Sequence, residues 1–305
     1  MAFVAVGQLS CTQLIDVSPL QCELDNDCLL RGLPGICIDG VCVAMTDVGA
    51  ATDPDPRLPG CPDSPCGAIQ DPVCFADQCA SQARVQPFIC DSAPPASGEM
   101  ILFPIAITEY SQPNRVLPGL KITACERTDV LCMSPTLELT PQEKDVDVPL
   151  PFGFDGYLMI QTDATIPFIW QFAQPLTEPG PRREGRLLAP DTIDAIAGIA
   201  MVNINQNLGL IAMQASNCAG VPSAGIHFSE PTGEAVGFYI VDLLPNLNAT
   251  ETQFDMNGNF AVGGFFNMPT GLHLFTARIG VDGPMLGAVN AIVRAGALTF
   301  LDIRP

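Results

Sequence analysis

Histidine, tryptophan and positive charge are all scarce in this chain. It holds two histidines, one tryptophan and 13 lysines plus arginines among 305 residues. His227 and His273 each fall within a predicted strand, and neither belongs to a His-Glu-x-x-His or other metal-binding pattern. No Gly-x-Ser-x-Gly elbow occurs, nor a glycine-rich loop ending in Lys-Ser or Lys-Thr, so the common serine-hydrolase and nucleotide-binding classes lose support. Thirteen bases against 33 acids leave a formal charge of −20. Without a basic run, such a chain lacks the electrostatic footprint for nucleic acid and is repelled by anionic lipid. The acidity reads as a solvated surface. No stretch of eighteen or more apolar residues is present to form a membrane-spanning helix.

Proline, glycine and cysteine are abundant instead. The 29 Pro and 27 Gly interrupt a 48% hydrophobic sequence every few residues, which favours short strands and turns over long helices. The length suits two or three compact units. Twelve of the 13 cysteines precede residue 133, a usage expected where disulfides persist: an extracellular, outer-surface or periplasmic location. Residues 1–10 read as the tail of a secretion leader, with Gln8, Leu9 and Ser10 before Cys11 in partial match to a lipoprotein signal. Cys11 is therefore a lipidation candidate, the one route to a membrane; the alternative is an ordinary disulfide cysteine.

Residues 11–90 carry two sets of four cysteines, Cys22, Cys28, Cys37, Cys42 and Cys61, Cys66, Cys74, Cys79. Their gaps of five, eight and four and of four, seven and four residues describe a duplicated module. Loops this small bury little apolar surface, so bridges worth ~2–4 kcal/mol each must order them. Neither set contains the Cys-x-x-Cys pair of a zinc knuckle. With Cys11 set aside, Cys125 and Cys132 are close enough for a local bridge, and Cys90 and Cys218 remain; connectivity within each module stays open. The run Cys22-Glu-Leu-Asp25-Asn-Asp27-Cys28 through Gly40-Val-Cys42 resembles short cysteine-rich repeats of bacterial surface lipoproteins. Asp25 and Asp27 read as turn acids, since too few further oxygens accompany them for calcium.

From Met100 the texture changes to strands bounded by Pro, Gly or Asp. A first, diverged sandwich is expected over 100–173, with strands near Met100–Thr108, Leu120–Ala124, Val146–Leu150, Tyr157–Thr162 and Thr165–Phe172. Ile166, Phe168, Trp170 and Phe172 share one face; that stripe is core by periodicity, the alternative being a sugar-stacking platform with Trp170 as the ligand-contact candidate. Residues 174–207 read as a linker with one short helix, capped by Asp191 and carrying Ile193, Ile196, Ala197 and Ala200 at helical spacing. Residues 208–305 supply seven more strands, near Gly209–Ala215, Gly225–Ser229, Val236–Val241, Asn259–Phe265, Leu272–Arg278, Gly287–Val293 and Leu298–Ile303. Leu120–Cys125 parallels Ile211–Cys218, and Pro151-Phe-Gly153 parallels Pro269-Thr-Gly271, which suggests duplication.

The second half, with Asn217-Cys218-Ala-Gly220-Val-Pro222, Asp255-Met-Asn257-Gly258-Asn259-Phe260 and Phe265-Phe-Asn-Met-Pro269-Thr-Gly271, resembles the carboxypeptidase regulatory-like, transthyretin-like fold. The resemblance covers about a hundred residues and implies a seven-stranded sandwich with no catalytic centre of its own; carbohydrate-binding modules are related by analogy. The expected fold is mainly β: two transthyretin-like Greek-key β-sandwiches with one short linking helix, after a small disulfide-rich region. Asp255, Asn257 and Asn259 offer oxygens to calcium, yet Asn257-Gly258 is also a hairpin-turn dipeptide, which explains them first. Asp145 and Asp147 form another acidic pair, and Asn248-Ala-Thr250 is a surface sequon. No resident metal or cofactor is expected. The function expected is a non-catalytic envelope or secreted protein, structural or recognising an envelope glycan or a protein through sandwich loops. The alternatives are a regulator or inhibitor of a secreted peptidase and, less favoured, a hydrolase.

Overall fold

The chain divides into two compact units, Met1–Pro54 and Asp55–Pro305. In the computed structural model the described residues are 35–38, 41–44, 69, 72–76, 78–90, 99–113, 117–180, 182–230, 232–255 and 260–304. Cys11, Cys22, Cys28, Cys61, Cys66, Asp25, Asp27 and the leader remnant 1–10 lie outside them.

In the first unit, β1 (Gly35–Ile38) and β2 (Val41–Ala44) form an antiparallel hairpin with Cys37 opposite Cys42. In the second unit, β3 (Pro72–Phe75) and β4 (Gln78–Ser81) pair the same way, with Cys74 opposite Cys79. The shared four-residue gap dictates this geometry: a two-residue turn plus one paired residue on each side places both cysteines in register. In the second hairpin Ala76 takes a φ of 47°. Cys74 and Cys79 are both disulfide-bonded. After the second hairpin come a helical turn, Gln82–Val85, and a 3-10 turn, Gln86–Phe88. Ala80, Val85 and Phe88 share a buried cluster with Phe265 and Phe275. The Cys90–Cys218 disulfide, with Cα atoms 5.3 Å apart, fastens this segment across 128 residues of sequence. The second cysteine hairpin is thus packed onto the sandwich region.

The first half supplies β5 (Met100–Glu109), β6 (Lys121–Glu126), β7 (Leu137–Leu139), β8 (Asp145–Pro151), β9 (Gly156–Gln161) and β10 (Phe168–Phe172). Strand β11 (Arg183–Leu187) precedes the helix Pro190–Ile199. Then follow β12 (Gly209–Ala215), β13 (Ile226–Ser229), β14 (Val236–Val241), β15 (Leu244–Asn246), β16 (Val262–Met268), β17 (Gly271–Ile279), β18 (Met285–Val293) and β19 (Leu298–Ile303). They build one nine-stranded sheet, β15-β14-β16-β12-β19-β10-β9-β6-β7, and two three-stranded sheets, β11-β5-β8 and β13-β17-β18.

Alternation of side chains decides the layers. Register aligns Trp170 with Phe300 and Ala212 across β10, β19 and β12, and Gln171 with Leu301 and Met213. The Trp170 face clusters with Phe103, Ile105, Val148 and Leu150 of the β11-β5-β8 sheet and with Ile193 of the helix. The Leu301 and Met213 face clusters with Phe275, Ala277, Val289 and Ala291 of the β13-β17-β18 sheet. The molecule is mainly β: two sandwiches share the central sheet, and their outer sheets lie on its opposite faces. Strand β19 joins them, parallel to both β10 and β12.

Three features depart from the sequence reading. The stretch read as linker contains β11, which pairs in parallel with β5 from Arg183↔Ile105 to Leu187↔Glu109. Only its Gly185 and Leu187 are buried, so charged residues on the outer face concealed an edge strand. Asp191 does not cap the helix: Ala189 is the N-cap, Pro190 occupies the first turn, and Asp191 lies within that turn, where its charge favours the helix dipole. In the proposed repeat, β6 and β12 both enter the central sheet, but the strands after the Pro-x-Gly turns diverge, β9 to the central sheet and β17 to an outer one.

Open edges are closed by side chains. On β18, the Asn290 carbonyl accepts from Gln171 Nε2 and from Arg127 Nη1, the Ile292 N–H donates to Gln171 Oε1 (2.8 Å), and the Ile292 carbonyl accepts from Thr299 Oγ1 (2.6 Å). On β13, the Phe228 N–H donates to the Tyr239 hydroxyl (2.9 Å), whose burial pushes its pKa up to about 12. Gly263 makes room for that ring, since a Cβ there would meet Tyr239 Cδ1 at 2.6 Å. Replacing both Cys90 and Cys218 with serine should lower stability by about 4–5 kcal/mol, the chain-entropy value for a loop of this length. Urea denaturation of the oxidised chain checks it; an unchanged midpoint would show that the bridge closes no loop that unfolding opens.

Candidate functional site

One cluster of buried and half-buried polar side chains lies where β10, β12 and β19 end. Parallel register sets Phe172, Asp302 and Gln214 side by side at the carboxyl ends of these strands. Asp302 therefore sits between two neighbouring strands, on the face that carries Trp170, and is buried. Its Oδ2 accepts from Arg183 Nη1 (2.8 Å) and Arg304 Nε (3.2 Å), and its Oδ1 accepts from Ser216 Oγ (2.6 Å). Burial pushes the Asp302 carboxyl up from its ordinary pKa, opposed first by the Arg183 guanidinium and then by the Ser216 hydrogen bond. Arg183, the first residue of β11, also lies over the Phe103 ring at 5.7 Å. Together with the 173–180 loop these residues wall a cleft of about 110 Å³.

A second constellation fixes the loop after β6. The Cys125–Cys132 disulfide closes it, with Cα atoms 5.5 Å apart. The Tyr157 hydroxyl donates to the Asp129 carbonyl (2.7 Å), while Arg294 Nη2 donates to the Val130 carbonyl (2.6 Å) and to the Tyr157 oxygen (2.7 Å). Burial raises the Tyr157 pKa. The Asp129 carboxylate accepts the Met133 and Ser134 N–H groups, and these bonds hold its pKa below the usual carboxylate value. Val130 and Cys132 pack inward against Ile169 and Ile292, leaving Leu131 and Met133 73% and 78% exposed.

The sequence candidates land as follows. Trp170 is 2% exposed, edge-on to Phe103, Phe168 and Phe300. Its indole belongs to the core and offers no open ring face to a sugar. The Asp255 carboxylate accepts the Phe260 N–H (3.2 Å); Asn257 and Asn259 lie outside the described residues. Asp145 and Asp147 pair with Arg182 on the surface at 3.1 and 3.9 Å. Asn248 is exposed. His227 Nδ1 donates to the Thr250 carbonyl (2.7 Å), and His273 Nε2 is buried without a partner. Among the described residues no group of three or more His, Cys, Asp and Glu is placed to hold a metal ion. Sequence reasoning missed the Asp302 cluster, although an acid inside the otherwise apolar Leu-Thr-Phe-Leu-Asp-Ile run was a visible signal.

Two expectations follow from these geometries. Asp302→Asn leaves two largely buried guanidiniums facing a neutral amide and should cost about 3 kcal/mol; equilibrium denaturation measures it, and wild-type stability would mean that water already satisfies both arginines. Because the folded pKa of Asp129 is depressed, its hold on the loop is complete above the unfolded value of 3.8 and is lost as pH falls through the folded value. Amide exchange at Met133 and Ser134 should therefore quicken only below about pH 4, whereas faster exchange near neutrality would remove Asp129 as the clamp.

No protein-family model matches the chain, and no curated protein matches it. The carboxypeptidase regulatory-like resemblance rests on the sequence motifs alone. Similar solved structures include the Bacillus anthracis TIE protein, 10% identical with a TM-score of 0.22 over 68% of this chain and 34% of that one. A mutant of shaft pilin spaA from Lactobacillus rhamnosus GG is 8% identical with a TM-score of 0.22, over 68% of this chain and 99% of that one. A streptococcal ancillary pilin is 13% identical with a TM-score of 0.20, over 67% and 68%. The chain thus spans about a third of the length of the TIE protein. At these TM-scores the likenesses carry no argument, and the mainly β fold stands on this chain's own strand pairing.

Proposed function

We propose that this chain is a non-catalytic binding or structural protein of an oxidising, extracytoplasmic compartment, secreted or held at the cell surface. The observation that carries this reading is the state of the cysteines: all six whose side chains are described, Cys74, Cys79, Cys90, Cys125, Cys132 and Cys218, are disulfide-bonded. Such a framework persists where thiols are not kept reduced. The carboxypeptidase regulatory-like type of sandwich and a lipid on Cys11 are finer parts of the same proposal, supported by the sequence motifs. The partner is an envelope glycan or a protein met by loops at the sandwich ends, and the acidity argues against nucleic acid.

A peptidase inhibitor is the second reading, favoured by the stapled loop that exposes Leu131 and Met133. Against it, Cys132 has a φ of 56° and the carbonyls of Asp129 and Val130 are bonded inward. The loop is a closed turn, unlike the extended strand that pairs with a partner's sheet edge.

Two measurements on protein taken from its native source test the proposal. Alkylation without reductant should leave those six cysteines unmodified, and labelling of Cys90 or Cys218 would overturn the oxidising assignment. On an array of envelope polysaccharides and surface proteins, the full oxidised chain should bind saturably; turnover of a presented substrate would overturn the non-catalytic reading.

A further inference from the structure

Two guanidiniums, Arg183 and Arg304, meet the single buried carboxylate of Asp302 in this cleft, and the second acid of its lining, Glu178, is exposed. Arg183 and Arg304 share a single oxygen, Oδ2, and Ser216 occupies Oδ1. Arg183 spends Nη1 on that contact and Arg304 spends Nε. Nε and Nη2 of Arg183 and both terminal nitrogens of Arg304 have no hydrogen-bond partner among the described residues. Their side chains are 17% and 29% exposed, so these donors are partly desolvated and held in a fixed fork. Planar guanidinium forks match carboxylates in two-point contact.

The opposite wall narrows the ligand class. It carries the Gln174 amide, whose Nε2 donates to the Arg304 carbonyl (3.5 Å), the Thr177 hydroxyl and, at an exposed lip, the Glu178 carboxylate. These groups suit hydroxyls. The aromatic residues beneath, Phe103, Trp170 and Phe172, are 1%, 2% and 5% exposed and offer no apolar pocket to a peptide side chain. From this we infer that the cleft binds a uronic acid residue of an acidic polysaccharide, its carboxylate on Arg183 and Arg304 and its hydroxyls on the Gln174–Glu178 wall. The inference rests on the proposed reading of the chain as a binding protein and names its ligand class. Glu178 sets a limit on charge: a singly charged carboxylate is tolerated beside it, whereas a dianionic phosphate is repelled more strongly.

The test uses the full oxidised chain and a defined oligogalacturonide, with the corresponding neutral oligosaccharide and inorganic phosphate as comparison ligands. Calorimetry should show oligogalacturonide binding and no binding of the neutral sugar. The Arg183 and Arg304 Nε–H resonances should shift on titration. Arg304→Gln keeps a one-to-one Arg183–Asp302 pair, so the fold should survive while affinity falls about tenfold or more. Glu178→Gln should raise affinity a few-fold. Equal affinity for charged and neutral sugars, preference for phosphate, or unmoved Nε–H signals at millimolar ligand would overturn the inference. Should polysaccharides bind on the array with Arg304→Gln as tightly as wild type, the inference fails and the binding-protein reading stands; a blank array with unmoved signals overturns both.

Discussion

Strand β19 lies between β10 and β12, with neither of which it forms a hairpin, and runs parallel to both. A parallel pair needs a long crossover, and here the crossovers run over residues 173–297 and 216–297. Alternate residues of β19 serve different cores: Leu298 joins the first, while Leu301 and Ile303 join the second. Remove it, and the central sheet loses the strand through which its two halves are hydrogen-bonded. The placement of Asp302, and hence of the whole cleft, follows from the same strand.

The few basic residues tell a related story. Arg127 reaches the Asn290 carbonyl, 163 residues away in sequence; Arg183 reaches Asp302 at a separation of 119; Arg294 reaches Val130 at 164. Each ties one sandwich to the other or to its covering loop. Such partly buried contacts add little net stability, because desolvation offsets the attraction, but each is costly to break from one side. A chain this acidic can afford no mispairing of so few cations, and their positions thereby help to specify which strands meet.

Strands with clean alternation were legible in the sequence. Gly209–Ala215, Val236–Val241 and Leu298–Ile303 begin and end where the pattern places them. Strand β11 was not, because Arg183, Glu184 and Arg186 dominate its composition and only the contact with β5 reveals the buried Gly185 and Leu187. The sharing of one sheet was also hidden, since local periodicity says which face a residue takes but not which distant strand lies beside it. Trp170 illustrates the limit: the same alternating stripe serves a core or a binding platform, and only the covering sheet decides. The cleft joins residues from 174 to 304 that no local motif unites.

The central position of β19 also bears on how the protein is made. A chain that emerges from a ribosome or crosses a membrane from its amino end presents β10 and β12 well before residues 298–303 appear. Until then, two strands with unpaired backbone edges wait for a partner that does not yet exist, a state open to pairing with another chain. The Cys90–Cys218 bridge can form during that interval, since both cysteines precede β19. Early closure of that bridge would enclose β10 and β12 in one covalent loop and limit how far their open edges separate before β19 arrives.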